Sequence, residues 1–150
     1  MLRKTHLAIG IATTLPFVLT QDLNLVCAII GITASTAPDL DKTFHTTHRG
    51  FSHSLLATSG LYFGIKYVSD MFFPMDGLAF AIALNYFSHI VADSFTKRGV
   101  ALFWPCKKSI GLKMFKLTKS RDTVVRMLVF LVIAYEVLTM SELSRLLFHY

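Results

Sequence analysis

Gly77-Leu78-Ala79-Phe80-Ala81-Ile82-Ala83-Leu84-Asn85-Tyr86-Phe87-Ser88-His89-Ile90-Val91-Ala92-Asp93-Ser94-Phe95 is an apolar run crossed by a single polar stripe. Asn85, His89 and Asp93 recur every fourth residue, and Thr96 follows three residues later. On a helix that spacing puts all four side chains on one face. The His89–Asp93 pair has two readings. An i, i+4 pair of this kind can bridge a metal, as two histidines do on a zincin helix. It can also be a neutral imidazole hydrogen-bonded to a carboxylate.

Working outward, four more apolar segments lie at about 6–20, 23–38, 53–69 and 123–143. Most are shorter than the roughly 20 residues that cross a bilayer, which implies local thinning or helices that continue past the boundary. Of the 150 residues, 53% are hydrophobic and 16% charged, against about 25% charged in a soluble domain. The expected fold is therefore all-α: a polytopic membrane bundle of about five short transmembrane helices, forming one domain over 1–150. Residues 70–76, with Pro74 and Asp76, read as a turn, and 96–122 as a long basic loop. The opening Met1-Leu2-Arg3-Lys4 before an apolar run resembles a signal peptide. No small-x-small cleavage site follows cleanly, and Gln21-Asp22-Leu23-Asn24 looks like a turn between spans, so the first segment is expected to be retained.

Lysine and arginine placement sets the orientation. Arg3, Lys4, Lys42 and Arg49 fall on one side, together with Lys97, Arg98, Lys107, Lys108, Lys113, Lys116, Lys119 and Arg121. The other side holds Arg145, with Lys66 near the end of the third span. The N-terminus is expected in the cytoplasm and the C-terminus outside. Arg126 and Glu136 interrupt the fifth span and should face protein or snorkel. The net charge of +6 is then a lipid-facing charge rather than a nucleic-acid footprint, since basic residues near anionic headgroups each add about 1 kcal/mol of attraction. Cys27 and Cys106 sit in unlike settings and form no disulfide framework. Any metal site has to use histidine and carboxylate.

The unusual polar residues collect on the cytoplasmic side of this topology. They are His6; Asp39 and Asp41 in Pro38-Asp39-Leu40-Asp41; His45, His48, Arg49, Ser52 and His53 before the third span; and His89, Asp93 and Thr96. Orientation was fixed by Lys and Arg alone, so this clustering is a separate observation. Each piece has a plainer reading. Asp39-x-Asp41 follows a proline that ends a helix and projects carboxylates from a loop. His48-Arg49-Gly50-Phe51-Ser52-His53-Ser54 could be a basic loop with a serine cap. Two adjacent carboxylates repel, however, unless a cation holds both ionised. Oxygen and imidazole donors without thiolate suit zinc, manganese or iron. Arg49 can make a bidentate contact to a phosphate.

These pieces resemble the YdjM family of bacterial inner-membrane proteins, described as membrane-bound metal-dependent hydrolases. The resemblance rests on His6, Pro38-Asp39-Leu40-Asp41, His48 to Leu55, Ser88-His89-Ile90-Val91-Ala92-Asp93, and Thr96 to Gly99 running into Leu102-Phe103-Trp104-Pro105. It covers about residues 4–106. Lys42 departs from it, since the family often has a histidine directly after the carboxylates. The family is distantly similar to zinc-dependent phospholipase C and to single-strand nucleases, a fold-level analogy.

The expected function is hydrolysis of a phosphoester, such as a phospholipid, at the cytoplasmic face of the bacterial inner membrane. The expected ligands of a divalent metal, zinc before manganese or iron, are His6, Asp39, Asp41, His48, His53, His89 and Asp93. Asp39, Asp41, Arg49 and Ser52 are the candidate catalytic groups, and Arg49 and Thr96 the candidate substrate contacts. The expected partners are membrane lipids and an anionic phosphoester, with no nucleic acid. Two other classes remain: a metal-ion or proton transporter, and a non-catalytic membrane protein with a structural metal.

Overall fold

The computed structural model describes residues 3–42, 50–96, 99–106, 108–111 and 119–148, with side chains described at 3–40, 50–96, 99–106, 108–111 and 122–140. The described chain is all-helical. In order it runs α1 (Arg3–Leu19), α2 (Leu25–Ala34), a 3₁₀ helix (Ala37–Lys42), a 3₁₀ turn (Phe51–His53), α3 (Leu55–Phe72), α4 (Leu78–Ser94) and α5 (Lys119–Phe148). Among the described residues there is no strand, only an antiparallel bridge between Val100 and Ile110.

Local chemistry sets the boundaries. Gln21, with φ of 62°, turns the chain after α1, and Asn24 caps α2 by accepting from the Val26 amide at 2.8 Å. Ser54 caps α3 by accepting from the Ala57 amide at 3.1 Å. These hydroxyl and amide caps satisfy donors that a helix start leaves open. Two expectations need correction. The second helix ends at Ala34, short of residue 38, and Pro38 lies within a 3₁₀ helix rather than an open loop. The fifth helix begins at Lys119, inside the segment read as loop, and runs to Phe148. Asp122 in its first turn suits a helix N-terminus and accepts a buried hydrogen bond from Thr5 Oγ1 at 2.8 Å, which fastens α5 to α1.

α4 is the central element and packs against α1, α2 and α3. Small residues let the backbones approach. A Cβ on Gly31 of α2 would sit 2.7 Å from the Ala81 carbonyl oxygen of α4, and one on Gly10 of α1 would sit 2.6 Å from Asn85 Oδ1. Asn85 joins α4 to α1 by donating from Nδ2 to Thr14 Oγ1 at 2.7 Å, while also donating to Ala81 O at 2.9 Å.

The distribution of polarity is inverted relative to a water-soluble bundle. Buried positions include Thr5, His6, Thr14, Ser35, Asp39, His53, Asn85, Ser88, His89 and Asp93, while Phe63, Phe72, Phe130, Leu131 and Leu138 are exposed. The described residues form five α-helices, as many as the apolar segments read from the sequence. Among the described residues, one stretch is long and apolar enough to cross a membrane by length and composition, Asp122–Met140 of α5; Leu25–Leu40 and Leu78–Ser94 are shorter apolar stretches.

Candidate metal centre

Three elements deliver the four residues of the cluster. The 3₁₀ helix after α2 carries Asp39, the turn before α3 carries His53, and the last turns of α4 carry His89 and Asp93. One ligand atom from each of these four buried residues lies within 4.8 Å of every other. His6, near the start of α1, stacks on His89 with ring centroids 3.7 Å apart and interplanar angle 19°.

His89 orients the set. Its Nδ1 is 2.6 Å from the Ser35 carbonyl oxygen. A carbonyl only accepts, so Nδ1 carries the proton and a neutral ring presents a lone pair at Nε2. This is the outer hydrogen bond that fixes the tautomer of metal-binding histidines. His89 Nε2 makes no hydrogen bond among the described residues, and it faces Asp39 Oδ1 at 3.7 Å and Asp93 Oδ2 at 4.0 Å. His53 Nε2 lies 3.7 Å from Asp93 Oδ2, and His6 Nε2 lies 3.6 Å from Asp93 Oδ1. These separations exceed the 2.7–3.2 Å of a hydrogen bond. They approach the spacing of about 3.4 Å between two donors on one tetrahedral ion with bonds of 2.0–2.2 Å. Two carboxylates and two imidazoles also match a dication in charge and donor type. The residues present fit a divalent metal.

The surrounding contacts hold the donors in place. Tyr86 of α4 donates its hydroxyl to the Ser52 carbonyl at 2.6 Å and so ties the His53 turn to α4. Ser52 Oγ lies 3.0 Å from His53 Nδ1 and is half-buried beside the cluster. Thr96 is buried, and its hydroxyl donates to the Asp93 carbonyl at 2.8 Å, closing the end of α4.

Of the residues singled out in the sequence, His6, Asp39, Ser52, His53, His89, Asp93 and Thr96 come together at one end of the bundle. Asp41 follows in the same 3₁₀ helix as Asp39, but its side chain lies outside the described residues, as do all of His45, His48 and Arg49. Asn85 belongs to the stripe but serves helix packing. Cys27 is remote, with its thiol 3.6 Å from the Asp76 carbonyl near the opposite end of α4. Sequence reading missed Ser35, Tyr86 and the Thr5–Asp122 bond. Ser35 acts through its backbone carbonyl, for which no side-chain signal exists. Asp122 lies at the edge of the 96–122 segment whose charge reads as a basic loop.

Comparison with known proteins bears on this arrangement. The sequence model of the YdjM inner membrane protein family matches residues 1–146. Two curated relatives, each named inner membrane protein YdjM, come from Escherichia coli (strain K12) and Shigella flexneri. Each is 48% identical over 62 residues, 40% of this chain and 31% of the relative. The match thus spans less than a third of the length of those relatives. No solved structure matches. The family match runs through every element that delivers a cluster residue, and the chain belongs to the YdjM inner membrane protein family.

Proposed function

We propose that this chain is a polytopic inner-membrane hydrolase that uses a divalent metal, with zinc favoured, to cleave a phosphoester such as a phospholipid. Its five helices cross or enter the bilayer with the N-terminus cytoplasmic and the C-terminus outside. The His/Asp cluster then lies at the cytoplasmic face. The inverted polarity supports this membrane reading. Polar side chains turned inward and large apolar ones turned outward suit a hydrocarbon solvent.

One observation carries the metal reading: His89 Nδ1 is committed to the Ser35 carbonyl, leaving Nε2 aimed among Asp39, His53 and Asp93. Asp39, His53, His89 and Asp93 would hold the ion, with His6 beside them. A bound divalent ion supplies Lewis acidity and brings the pKa of water down to about 7. Asp41, adjacent in the 3₁₀ helix, is the carboxylate available as general base. Arg49 is the group suited to an anionic phosphoester, and Ser52, whose hydroxyl lies 3.0 Å from His53 Nδ1, is the further catalytic candidate.

The burial of the four residues favours a second reading, a structural ion that ties helix ends together. Asp39 is 4% exposed and Asp93 1%, with His53 and His89 fully enclosed, whereas a catalytic site keeps a position open for water or substrate.

Elemental analysis of detergent-purified protein tests the metal, with wild type beside His89→Ala and Asp39→Ala. Wild type is expected to hold about one transition-metal ion per chain or more, and both variants to lose it. A wild type that cannot be loaded overturns the reading. Phosphate or headgroup release from phospholipid and phosphodiester panels then separates hydrolase from structural site. Metal retained with no turnover favours the structural ion.

A further inference from the structure

A second feature lies beside the cluster. A groove of about 510 Å³ runs between α1, α4 and α5, walled by Ile9, Leu84, Val91, Phe95, Val125 and Leu128. Two hydroxyls also line it, but neither faces inward as a free polar group. Thr13 Oγ1 donates back to the Ile9 and Gly10 carbonyls at 3.1 Å, and Ser88 Oγ donates to the Asn85 carbonyl at 2.8 Å. The groove therefore offers hydrocarbon alone. It adjoins α5, whose Asp122–Met140 stretch is long and apolar enough to cross a membrane.

Its length and position narrow the occupant. From Leu84 to Phe95 the α4 wall rises about 16 Å at 1.5 Å per residue. That is about half the roughly 30 Å hydrocarbon core, the depth of one leaflet. The groove ends at Ala92 and Phe95, on either side of Asp93 in the chain, so it reaches the end of the bundle where the cluster lies. Ser88 precedes His89 and Ala92 precedes Asp93, so groove and cluster occupy adjoining stripes of α4. On α1, Ile9 of the groove is one turn from His6.

We propose that this groove seats one fatty-acyl chain of a membrane lipid and so brings that lipid's phosphoester to the end of the bundle that holds the His/Asp cluster. The acyl seat stands on the groove itself; its role in presenting substrate rests on the hydrolase reading. A water-soluble phosphoester would gain nothing from a wholly apolar channel one leaflet deep. A diacyl lipid would place one chain in the groove and leave the other in the surrounding bilayer.

The test is photolabelling in vesicles of phosphatidylethanolamine and phosphatidylglycerol, doped with phosphatidylethanolamine carrying a diazirine midway along one acyl chain. Labelled positions are mapped by mass spectrometry, and metal content is measured on the same preparations. Wild type is expected to label residues 9–13 and 84–95 more heavily than the outward-facing Phe130 and Leu131 of α5. Leu84→Trp and Val125→Trp fill the groove from two walls. Each should cut groove labelling about tenfold, equivalent to about 1.4 kcal/mol of lost binding, with Phe130 and Leu131 labelled as before. Groove labelling no heavier than at Phe130 and Leu131, or unmoved by both tryptophans, means that only bulk bilayer lipid is present and overturns the proposal. His89→Ala is expected to lose the metal and keep the groove labelling. A wild type that labels in the groove but takes no metal keeps the acyl seat and sinks the hydrolase reading. One that holds metal and labels only on its outer surface does the reverse.

Discussion

At the scale of the residue, the Ser35 carbonyl and the Ser35 hydroxyl have separate fates. The carbonyl accepts from His89 Nδ1, while the hydroxyl is buried with no hydrogen-bond partner among the described residues. Leaving a buried hydroxyl unsatisfied costs about 1–3 kcal/mol. Ser35→Ala removes the hydroxyl and keeps the carbonyl. The variant should therefore retain the metal and unfold in detergent at the same temperature as wild type or higher. A clear drop in the midpoint would mean that the hydroxyl has a partner in the folded protein, and loss of metal would mean that the side chain, not the backbone, orients His89. The same residue shows where sequence reading stops. His89, Asp93, Asp39 and His53 were legible because each is a rare residue in an apolar or turn context, and because His89 and Asp93 share a helical repeat. The group that fixes the His89 tautomer was not, since every residue carries a carbonyl and only the packing of α2 on α4 selects this one.

At the scale of the element, the approach of α2 to α4 sets the depth at which Ser35 and Asp39 meet His89. Gly31 makes that approach close enough, because a Cβ there would lie 2.7–2.9 Å from Ala81 atoms, two of them backbone. Backbone cannot swing aside as a side chain can. Gly31→Leu should push the helices apart and cost about 1–3 kcal/mol, the usual effect of overpacking. Loosening should also lower metal affinity, although residue 31 touches no ligand. Thermal unfolding with and without added zinc checks both effects. Unchanged stability and unchanged zinc response would show that the helix pair is not tightly packed at this point. Helix existence was legible from the apolar runs, but two boundaries were not. The second segment reads to residue 38 across Ser35 and Thr36, yet the regular helix ends at Ala34 and the chain tightens into a 3₁₀ helix before the carboxylate. The fifth helix starts among Lys119 and Arg121, residues whose charge suggested a loop. Its start is secured by a tertiary bond, Thr5 to Asp122, that spans the length of the chain and leaves no local trace.

At the scale of the whole molecule, the bilayer decides which surfaces can face water, and the two ends of the bundle differ in what they offer. One end gathers the buried donors with the Trp104–Cys106 segment near it; Phe51 of the His53 turn packs edge-on against Trp104 with centroids 5.2 Å apart. The other end carries the exposed turn at Gln21 and Asp22 between α1 and α2. On the proposed topology, the distribution of Lys and Arg would orient the first end to the cytoplasm. The two native thiols and one introduced thiol make this measurable. Cys106 is exposed at the cluster end, and Cys27 is 1% exposed in the apolar contact of Leu23, Ala28 and Ala81. A membrane-impermeant maleimide should therefore label Cys106 in inverted membrane vesicles and leave it untouched in intact spheroplasts. Cys27 should stay unlabelled in both until the protein is denatured. Asp22→Cys, in a Cys106→Ser background, should show the opposite pattern, reacting from outside the cell. Labelling of both positions from the same side would mean that α2, α3 and α4, which lie between them, do not make three crossings, and with it the five-crossing arrangement would fail. Labelling with the sides exchanged would keep the crossings but put the His/Asp cluster on the outer face, where a phosphoester substrate would have to come from the opposite leaflet.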